Sequence, residues 1–307
     1  MYPSKILLFG EYSILLNSNA LSIPFNRFKG ELTFRDADTG KKLKEQIRSN
    51  QILKDLLTFT KSGNIKKNLK YSFDFITFEK DLEEGLYFRS DIPEESGLGS
   101  SGALVAAIFS KYTDIKASDI DFLKIRESLG LFESFYHGSS SGIDPFVSYL
   151  QKPVIIKNGV LSALSILTVE ESLRKSGMFL ICCKQKGKTS ELVNIFKNKC
   201  NSGPEYSDEI IKKYIPVNDE CVRLLTNKYN KHRFFSAIRK ITLLQEEIFN
   251  EMIPGMLLPL INYGLENDLF YLKLCGSGGG GYFLGFTENI VKTESYFNVL
   301  GYPILVY

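Results

Sequence analysis

The feature that most constrains the fold of this chain is a loop rich in glycine and serine that follows an extended segment and precedes an apolar one. The extended segment runs from Gly85 to Pro93 and the apolar one from Ala103 to Phe109. The loop comprises Glu95, Ser96, Gly97, Leu98, Gly99, Ser100, Ser101 and Gly102. Gly97 and Gly99 can take positive φ without a Cβ penalty, so backbone N–H groups can converge there. The order predicts a strand, a tight loop and the N-terminus of a helix.

Such a loop is suited to binding an anion. The first turn of a helix has unpaired N–H groups, and the positive end of the helix dipole favours a phosphate by roughly 0.3–2 kcal/mol. The alternative is an ordinary tight turn with Ser100 as the helix cap. The loop is not a Walker A motif, because no Gly-Lys-Ser/Thr ends it. It matches the Rossmann spacing only formally, at Gly97, Gly99 and Gly102, since the acidic residue of that motif is missing.

Composition limits the classes of protein to which the chain can belong. Its 307 residues, 44% hydrophobic and 24% charged, suit two globular domains, and a net charge of +3 is too mild to indicate nucleic-acid binding. No apolar run approaches the ~20 residues of a membrane helix. Ile6 to Phe9 is too short for a signal-peptide core, so we expect a cytoplasmic protein. The five cysteines include no Cys-x-x-Cys pair and predict reduced thiols without a zinc site.

Apolar patterning divides the chain into strands and helices. The predicted strands are Ser4 to Gly10, Ala20 to Pro24, Gly30 to Phe34, Tyr71 to Phe78, Gly85 to Ile92, Val154 to Lys157, Val160 to Leu167, Met178 to Cys183, Phe270 to Cys275, Tyr282 to Phe286 and Tyr302 to Val306. Residues 205–265 are helical in pattern, and Glu288 to Val299 forms a last helix. We place the domain boundary near residue 170, which gives domains 1–170 and 171–307.

Residues 41–70 form a basic segment, with nine Lys or Arg side chains against Glu45 and Asp55. Its apolar residues recur at rough helical spacing, which predicts an amphipathic surface helix with a basic face. A flap that attracts polyanions is the functional alternative.

Two carboxylates near the middle of the chain are candidates for chemistry. Glu133 lies near the end of a helix predicted from Ser118 to Tyr136, with Gly130 as its weak point. A carboxylate among aromatic residues at the negative end of a helix needs a cation, either a metal ion or a lysine. Asp144 precedes Pro145, as a helix N-cap does. Such an aspartate is held in place and can also serve as a base.

A second glycine-rich stretch, Gly276 to Gly281, contains five glycines in six residues between two predicted strands. A hairpin requires at most two. The excess predicts that something approaches this backbone closely, either a phosphate or the loop of the first domain.

Three stretches now stand in one order: Lys5 to Glu11, Ser96 to Gly102 and Lys273 to Gly281. Over the whole chain this order resembles the GHMP kinase family of ATP-dependent small-molecule kinases. The resemblance implies an α+β fold with a ribosomal-S5-domain-2-like N-terminal domain and a ferredoxin-like C-terminal domain. Within the family, Glu133, His137-Gly138 and Ser141 to Asp144 resemble the mevalonate kinases, including the eleven residues that separate the two carboxylates.

The resemblance implies a role for each candidate residue. Ser101 and Glu133 would hold Mg²⁺, and the Glu95 to Gly102 loop would bind ATP. Asp144 would accept or orient the substrate hydroxyl, with Lys5 beside it. The acceptor, a small-molecule alcohol, and the closure of its site would involve Glu11, Tyr12, His137, Thr189, Gly276, Ser277 and Gly278. No nucleic acid or membrane partner is implied, and the protein would be a monomer or homodimer.

Two departures from the mevalonate kinase pattern leave the acceptor open. Those kinases usually have His where this chain has Tyr12 and Pro where it has Ser140. Glu-Tyr in the first motif is more similar to phosphomevalonate kinases. Mevalonate is therefore the leading acceptor and phosphomevalonate the alternative, while homoserine or a sugar is more distant. The few cations expected near the acceptor, Lys184, Lys186 and Lys188, suit one carboxylate better than a carboxylate and a phosphate. A nucleotide-binding regulator without activity is the remaining alternative.

Overall fold

The structure, a computed structural model, describes residues 1–35, 40–183, 185 and 189–307, except for the side chains of residues 41, 64, 189 and 190. The strands are β1 Tyr2–Phe9, β2 Ala20–Phe34, β3 Leu86–Ser90, β4 Val154–Lys157, β5 Val160–Ala163, β6 Met178–Cys182, β7 Tyr271–Leu274, β8 Tyr282–Phe286 and β9 Ile304–Val306. The helices are α1 Lys41–Lys61, α2 Gly63–Asn68, α3 Phe75–Glu83, α4 Ser100–Tyr112, α5 Phe122–His137, α6 Ile143–Leu150, α7 Ile166–Lys175, α8 Thr189–Ser202, α9 Pro204–Glu209, α10 Ile215–Thr226, α11 Lys231–Ile248, α12 Leu258–Glu266 and α13 Ile290–Val299.

The strands form two sheets. In the first, the order is β1-β2-β4-β5, and β3 pairs with the second half of β2, with Gly30 opposite Ser90 and Phe34 opposite Leu86. In the second, the order is β7-β8-β6-β9, and its neighbouring strands are antiparallel. Helices and antiparallel sheets together confirm the predicted α+β class.

The chain divides by its internal contacts into two compact units. Unit 1 comprises Met1–Lys5, Pro24–Glu94 and Leu98–Lys152, and unit 2 comprises Ile6–Ile23, Glu95–Gly97 and Pro153–Tyr307. The domain boundary near residue 170 stays a prediction. No helix within the described ranges combines the length and the apolar character needed to cross a membrane.

Unit 1 is built around α4, whose residues from Gly102 to Phe109 are all buried. This burial follows from the apolar run predicted there, which has no polar face to expose. Helices α4, α5 and α6 pack on one another, and Phe109 on α4 contacts Phe132 on α5. The basic segment forms α1 and α2, with Leu53 and Leu56 buried, as its apolar spacing predicts. A role in attracting polyanions stays a prediction.

Unit 2 has an aromatic core on the second sheet. Phe179, Phe270, Phe286 and Phe297 are fully buried there, and Phe234 of α11 packs against Phe286 with ring centroids 5.2 Å apart. This core packs α11 and α13, the helix of Phe297, against the second sheet.

The strand predicted from Tyr71 to Phe78 is wrong, because a helix begins inside it. The Asp74 carboxylate accepts a hydrogen bond from the backbone N of Thr77 at 2.9 Å and caps α3. Only Phe73 makes a strand-like bridge in this part of the described chain, to Thr113. This hydrogen bond gives a partner to a backbone N–H group in the first turn of the helix. It therefore favours a helix over the strand that the alternating apolar pattern predicts.

Three further predictions need correction. The strands expected at residues 20–24 and 30–34 are the two ends of one strand, β2. The strand expected from Val160 to Leu167 ends at Ala163, and α7 begins at Ile166. Asp144 is not a helix cap, because α6 begins at Ile143 and Gly142 occupies the capping position. Asp144 is instead in the first turn of that helix, where the dipole favours its negative charge.

Candidate active site

The two predicted catalytic residues meet in unit 1. The Nζ atom of Lys5, on β1, lies 2.9 Å from Oδ2 of Asp144, in the first turn of α6. The Lys5 side chain is 6% exposed and that of Asp144 is 38% exposed. Lys5 is therefore fixed by its surroundings, while the carboxylate that it orients can still be reached from solvent.

Glycines allow the predicted phosphate-binding loop to approach this ion pair. The backbone N of Lys5 donates to the carbonyl of Leu98 at 2.9 Å. Gly99 has φ +74°, and a Cβ there would lie 2.8 Å from Cγ of Lys5. A Cβ on Gly102 would lie 2.9 Å from the backbone N of Pro145. The N-terminal turn of α4, with its unpaired N–H groups, thus lies beside that of α6.

Glu133 is the buried member of the site, with 4% exposure. Its carboxylate accepts hydrogen bonds from the hydroxyls of Ser140 and Ser101. Burial, together with the nearby charge of Asp144, raises the pKa of Glu133 to about 8. Gly130, one turn earlier on α5, explains the close packing, because a Cβ there would lie 3.1 Å from the Ser140 carbonyl oxygen. Gly130, the predicted weak point of the helix, is thus the position at which the loop that contains Ser140 packs against α5.

The residues around Glu133 fit a magnesium ion. Burial and the Asp144 charge disfavour the ionised form of Glu133, and a bound divalent cation would reverse that balance. Carboxylate and hydroxyl oxygens are ligands that Mg²⁺ prefers, usually completed by substrate phosphates and water. Within the described ranges, no group of three or more His, Cys, Asp or Glu forms a metal cage. Ser101 and Glu133 could therefore hold the ion only together with such outside ligands.

Glu11, predicted to face the acceptor, is buried in unit 2. Its carboxylate pairs with Nζ of Lys273 on β7, and both side chains are 0% exposed. Nζ of Lys273 also donates to the carbonyl of Leu274 at 2.6 Å. The structure thus gives Glu11 a buried structural partner, while its contact with an acceptor stays a prediction.

Tyr12 is also buried in unit 2, with 6% exposure and φ +57°. Its hydroxyl donates to the carbonyl of Ser277, inside the second glycine-rich stretch. Its ring lies 5.0 Å from that of Phe196 and 5.5 Å from that of Phe249, measured between centroids. Tyr12 therefore connects the first motif to the third, and a contact with an acceptor stays a prediction.

The close approach predicted for the second glycine-rich stretch is made by Ser96, the second residue of the first loop. A Cβ on Gly281 would overlap the carbonyl oxygen of Ser96, which also accepts a hydrogen bond from the backbone N of Tyr282 at 3.1 Å. A Cβ on Gly97 would lie 3.0 Å from the Cys275 carbonyl oxygen. Of the two candidates, the approaching group is thus the loop, at least at Gly281.

The remaining predicted residues have varied surroundings. His137 is the exposed last residue of α5. Glu95 is exposed with φ +55°, and a Cβ on Gly276 would meet nothing within 4 Å. Thr189 begins α8, but its side chain lies outside the described residues, as do Lys184, Lys186 and Lys188.

Ser140 and Lys273 contact predicted site residues but were not themselves predicted as part of the site. The signal for Ser140 was its departure from the proline usual in mevalonate kinases. The signal for Lys273 was a charged residue within an apolar strand.

Comparison with known proteins shows what this chain resembles. Residues 64–152 match the sequence model of the GHMP kinases N-terminal domain. The mevalonate kinase of Pyrococcus abyssi is 23% identical over 295 residues, which cover 91% of this chain and 85% of that protein.

Two solved structures share the fold. The crystal structure of L. major mevalonate kinase in complex with R-mevalonate has a TM-score of 0.67 and 16% identity, covering 98% of this chain and 90% of that one. Streptococcus pneumoniae phosphomevalonate kinase in complex with phosphomevalonate and AMPPNP has a TM-score of 0.60 and 15% identity, covering 100% and 98%. The fold implied by the resemblance is thereby confirmed. The chain is thus similar to the GHMP kinases, through the domain match over residues 64–152 and through an aligned mevalonate kinase that covers 91% of its length.

Proposed function

We propose that this protein transfers the γ-phosphoryl group of ATP to the hydroxyl of a small alcohol, and that the alcohol is mevalonate. One observation supports the chemistry above the others: Lys5 orients Asp144 beside the N-terminus of α4, with Glu133 and Ser101 in the same unit. A partly exposed carboxylate, an anion-binding helix end and a candidate cation site are the parts that phosphoryl transfer requires.

The proposed mechanism depends mainly on positioning and charge. The N–H groups at the start of α4 bind the phosphates of ATP. Asp144 accepts a hydrogen bond from the acceptor hydroxyl and orients it for in-line attack on the γ-phosphorus. It takes the hydroxyl proton as the new O–P bond forms, while the bond between the γ-phosphorus and the β-phosphate oxygen breaks and ADP leaves. Lys5 holds that carboxylate in place and offsets negative charge on the attacking oxygen. Ser101 and Glu133 would hold Mg²⁺, whose positive charge would offset the negative charge of the phosphates.

The choice of mevalonate is supported by the aligned relatives and by the position of Tyr12. The aligned protein of Pyrococcus abyssi is a mevalonate kinase, and the L. major structure contains R-mevalonate. Phosphomevalonate is the second candidate, since Glu11-Tyr12 is more similar to that enzyme and the S. pneumoniae structure contains that ligand. However, Glu11 and Tyr12 are only 1% and 6% exposed. Glu11 pairs with Lys273, and the Tyr12 hydroxyl bonds to the Ser277 carbonyl. The identity of these two residues therefore gives little support to an acceptor that carries a phosphate besides its carboxylate.

Release of ADP tests the proposal. The purified protein is assayed with ATP and Mg²⁺ against mevalonate, phosphomevalonate, homoserine and galactose. We expect kcat/KM for mevalonate to exceed that for phosphomevalonate at least about tenfold, a difference of ~1.4 kcal/mol. The reverse preference would favour the second candidate. ATP binding without ADP release for any acceptor would favour the non-catalytic regulator.

Substitution of Asp144 tests its proposed role. Asp144→Asn keeps the shape of the side chain, so the fold should persist while kcat falls by roughly 10²–10⁴. Asp121→Asn is the matched control, because Asp121 caps α5 in the same unit through the backbone N of Leu123 and Lys124. It should retain the wild-type kcat. An Asp144→Asn enzyme within a few-fold of wild type would remove Asp144 from the mechanism.

A cytoplasmic location and a monomeric or homodimeric state stay predictions from the sequence.

A further inference from the structure

The hydroxyl of Ser140 lies between the Glu133 carboxylate and the backbone. It donates to Oε2 of Glu133, and its oxygen accepts a hydrogen bond from the backbone N of Gly142 at 3.0 Å. A serine hydroxyl has a single proton. Because the N–H of Gly142 occupies an acceptor position on the same oxygen, that proton is directed at Glu133.

The backbone around Ser140 is fixed by close packing against α5. Gly142 has φ +73°, and a Cβ there would overlap the carbonyl oxygen of Arg126. A Cβ on Gly130 would lie 3.2 Å from the backbone N of Gly142. The distance from Ser140 to Glu133 is therefore set by the backbone, and the serine needs no rearrangement to reach the carboxylate.

We propose that Ser140 is a positioning residue that makes Glu133 a ligand through one oxygen and so favours Mg²⁺ over Ca²⁺. With Oε2 engaged by the Ser140 hydroxyl, Glu133 offers a cation mainly Oε1. Mg²⁺ requires near-ideal octahedral geometry, whereas Ca²⁺ readily accepts both oxygens of one carboxylate. A proline, usual at this position in mevalonate kinases, has no hydroxyl to impose this restriction.

The inference rests on the proposed function, since it takes Glu133 as a metal ligand. It differs from that proposal in assigning Ser140 a role in choosing the ion. Removing the hydroxyl should weaken the binding of Mg²⁺ and should raise the affinity for Ca²⁺ relative to that for Mg²⁺. If the Ser140 side chain only supported the loop, its loss would weaken the binding of both ions to the same extent.

The test measures metal binding directly, by calorimetric titration of Mg²⁺ and of Ca²⁺ into protein saturated with AMPPNP. For Ser140→Ala we expect Mg²⁺ to bind roughly 10- to 100-fold more weakly, in line with the loss of one hydrogen bond to a charged ligand. We expect the ratio of the Ca²⁺ to the Mg²⁺ dissociation constant to fall at least about threefold. Ser140→Thr keeps the hydroxyl and should restore both values. Ser141→Ala is the matched control, because its exposed hydroxyl accepts only a long 3.4 Å hydrogen bond from Ile143 in the described structure.

The outcomes separate the two proposals. Wild-type affinities for both ions in a folded Ser140→Ala protein would overturn the inference and leave the proposed function intact. An equal loss for both ions would also overturn it. If wild-type protein with AMPPNP bound no divalent cation at all, both the inference and the metal part of the proposed function would be wrong.

Discussion

The buried ion pair between Lys273 and Glu11 allows a quantitative prediction. Both side chains are 0% exposed, and Nζ of Lys273 also satisfies the carbonyl of Leu274. Lys273→Met keeps the approximate volume but leaves the Glu11 carboxylate buried without its lysine. Breaking a buried pair from one side costs about 3–5 kcal/mol. We therefore expect the folding equilibrium constant to fall on the order of 10²–10⁴-fold.

The second half of this prediction concerns the double substitution. Replacing both members of a buried pair by apolar side chains of similar volume is often neutral. Glu11→Met combined with Lys273→Met should therefore be within about 1–2 kcal/mol of wild type and more stable than Lys273→Met alone. This non-additivity distinguishes a charge effect from simple loss of packing.

Urea unfolding followed by far-ultraviolet circular dichroism measures these free energies, since the chain contains no tryptophan. Lys199→Met is the control, because Lys199 pairs with Glu251 at 2.8 Å with side chains 34% and 45% exposed. That exposed pair should contribute less than about 1 kcal/mol. A Lys273→Met protein as stable as the control, or a double variant less stable than either single one, would refute the reasoning. If Glu11→Gln raised the KM for mevalonate without lowering stability, the predicted acceptor contact of Glu11 would be favoured.

Two further predictions concern stability. Gly281→Ala should destabilise the protein by more than Gly301→Ala. Both glycines have φ near +72°, but only at 281 would a Cβ overlap the carbonyl oxygen of Ser96. Equal melting temperatures for the two variants would contradict this prediction. Asp81 accepts hydrogen bonds from Lys111 and Tyr112, each at 2.7 Å, and although burial alone would raise the pKa of Asp81, these bonds lower it. The ionised Asp81 should therefore stabilise the fold fully above the unfolded pKa of about 3.9, and this effect should disappear as the pH falls through the lower folded pKa. In urea unfolding, Asp81→Asn should be less stable than wild type at pH near 7 and equally stable in strong acid.

Much of the local structure could be predicted from the sequence. The order of β3, the glycine-serine loop and α4 was readable because an extended run, positive-φ residues and a continuous apolar run are local signals. The same holds for most strands of the second sheet. Where local signals compete, the prediction is wrong, as at Tyr71 to Phe78, where the cap formed by Asp74 decides for helix.

The sequence also supplied the candidate residues, since three motifs in one order resemble those of a family and the resemblance implies a role for each residue. Which of those residues meet was decided only by the tertiary structure. Lys5 and Asp144 are 139 positions apart, and Glu11 and Lys273 are 262 apart. Local periodicity does not encode contacts at such separations, because they depend on how sheets and helices pack. Thus the sequence alone determined the elements and the chemistry available to them, whereas packing decided that Asp144 is held by a lysine, that Glu133 is buried beside Ser140, and that Tyr12 bonds to the glycine-rich turn.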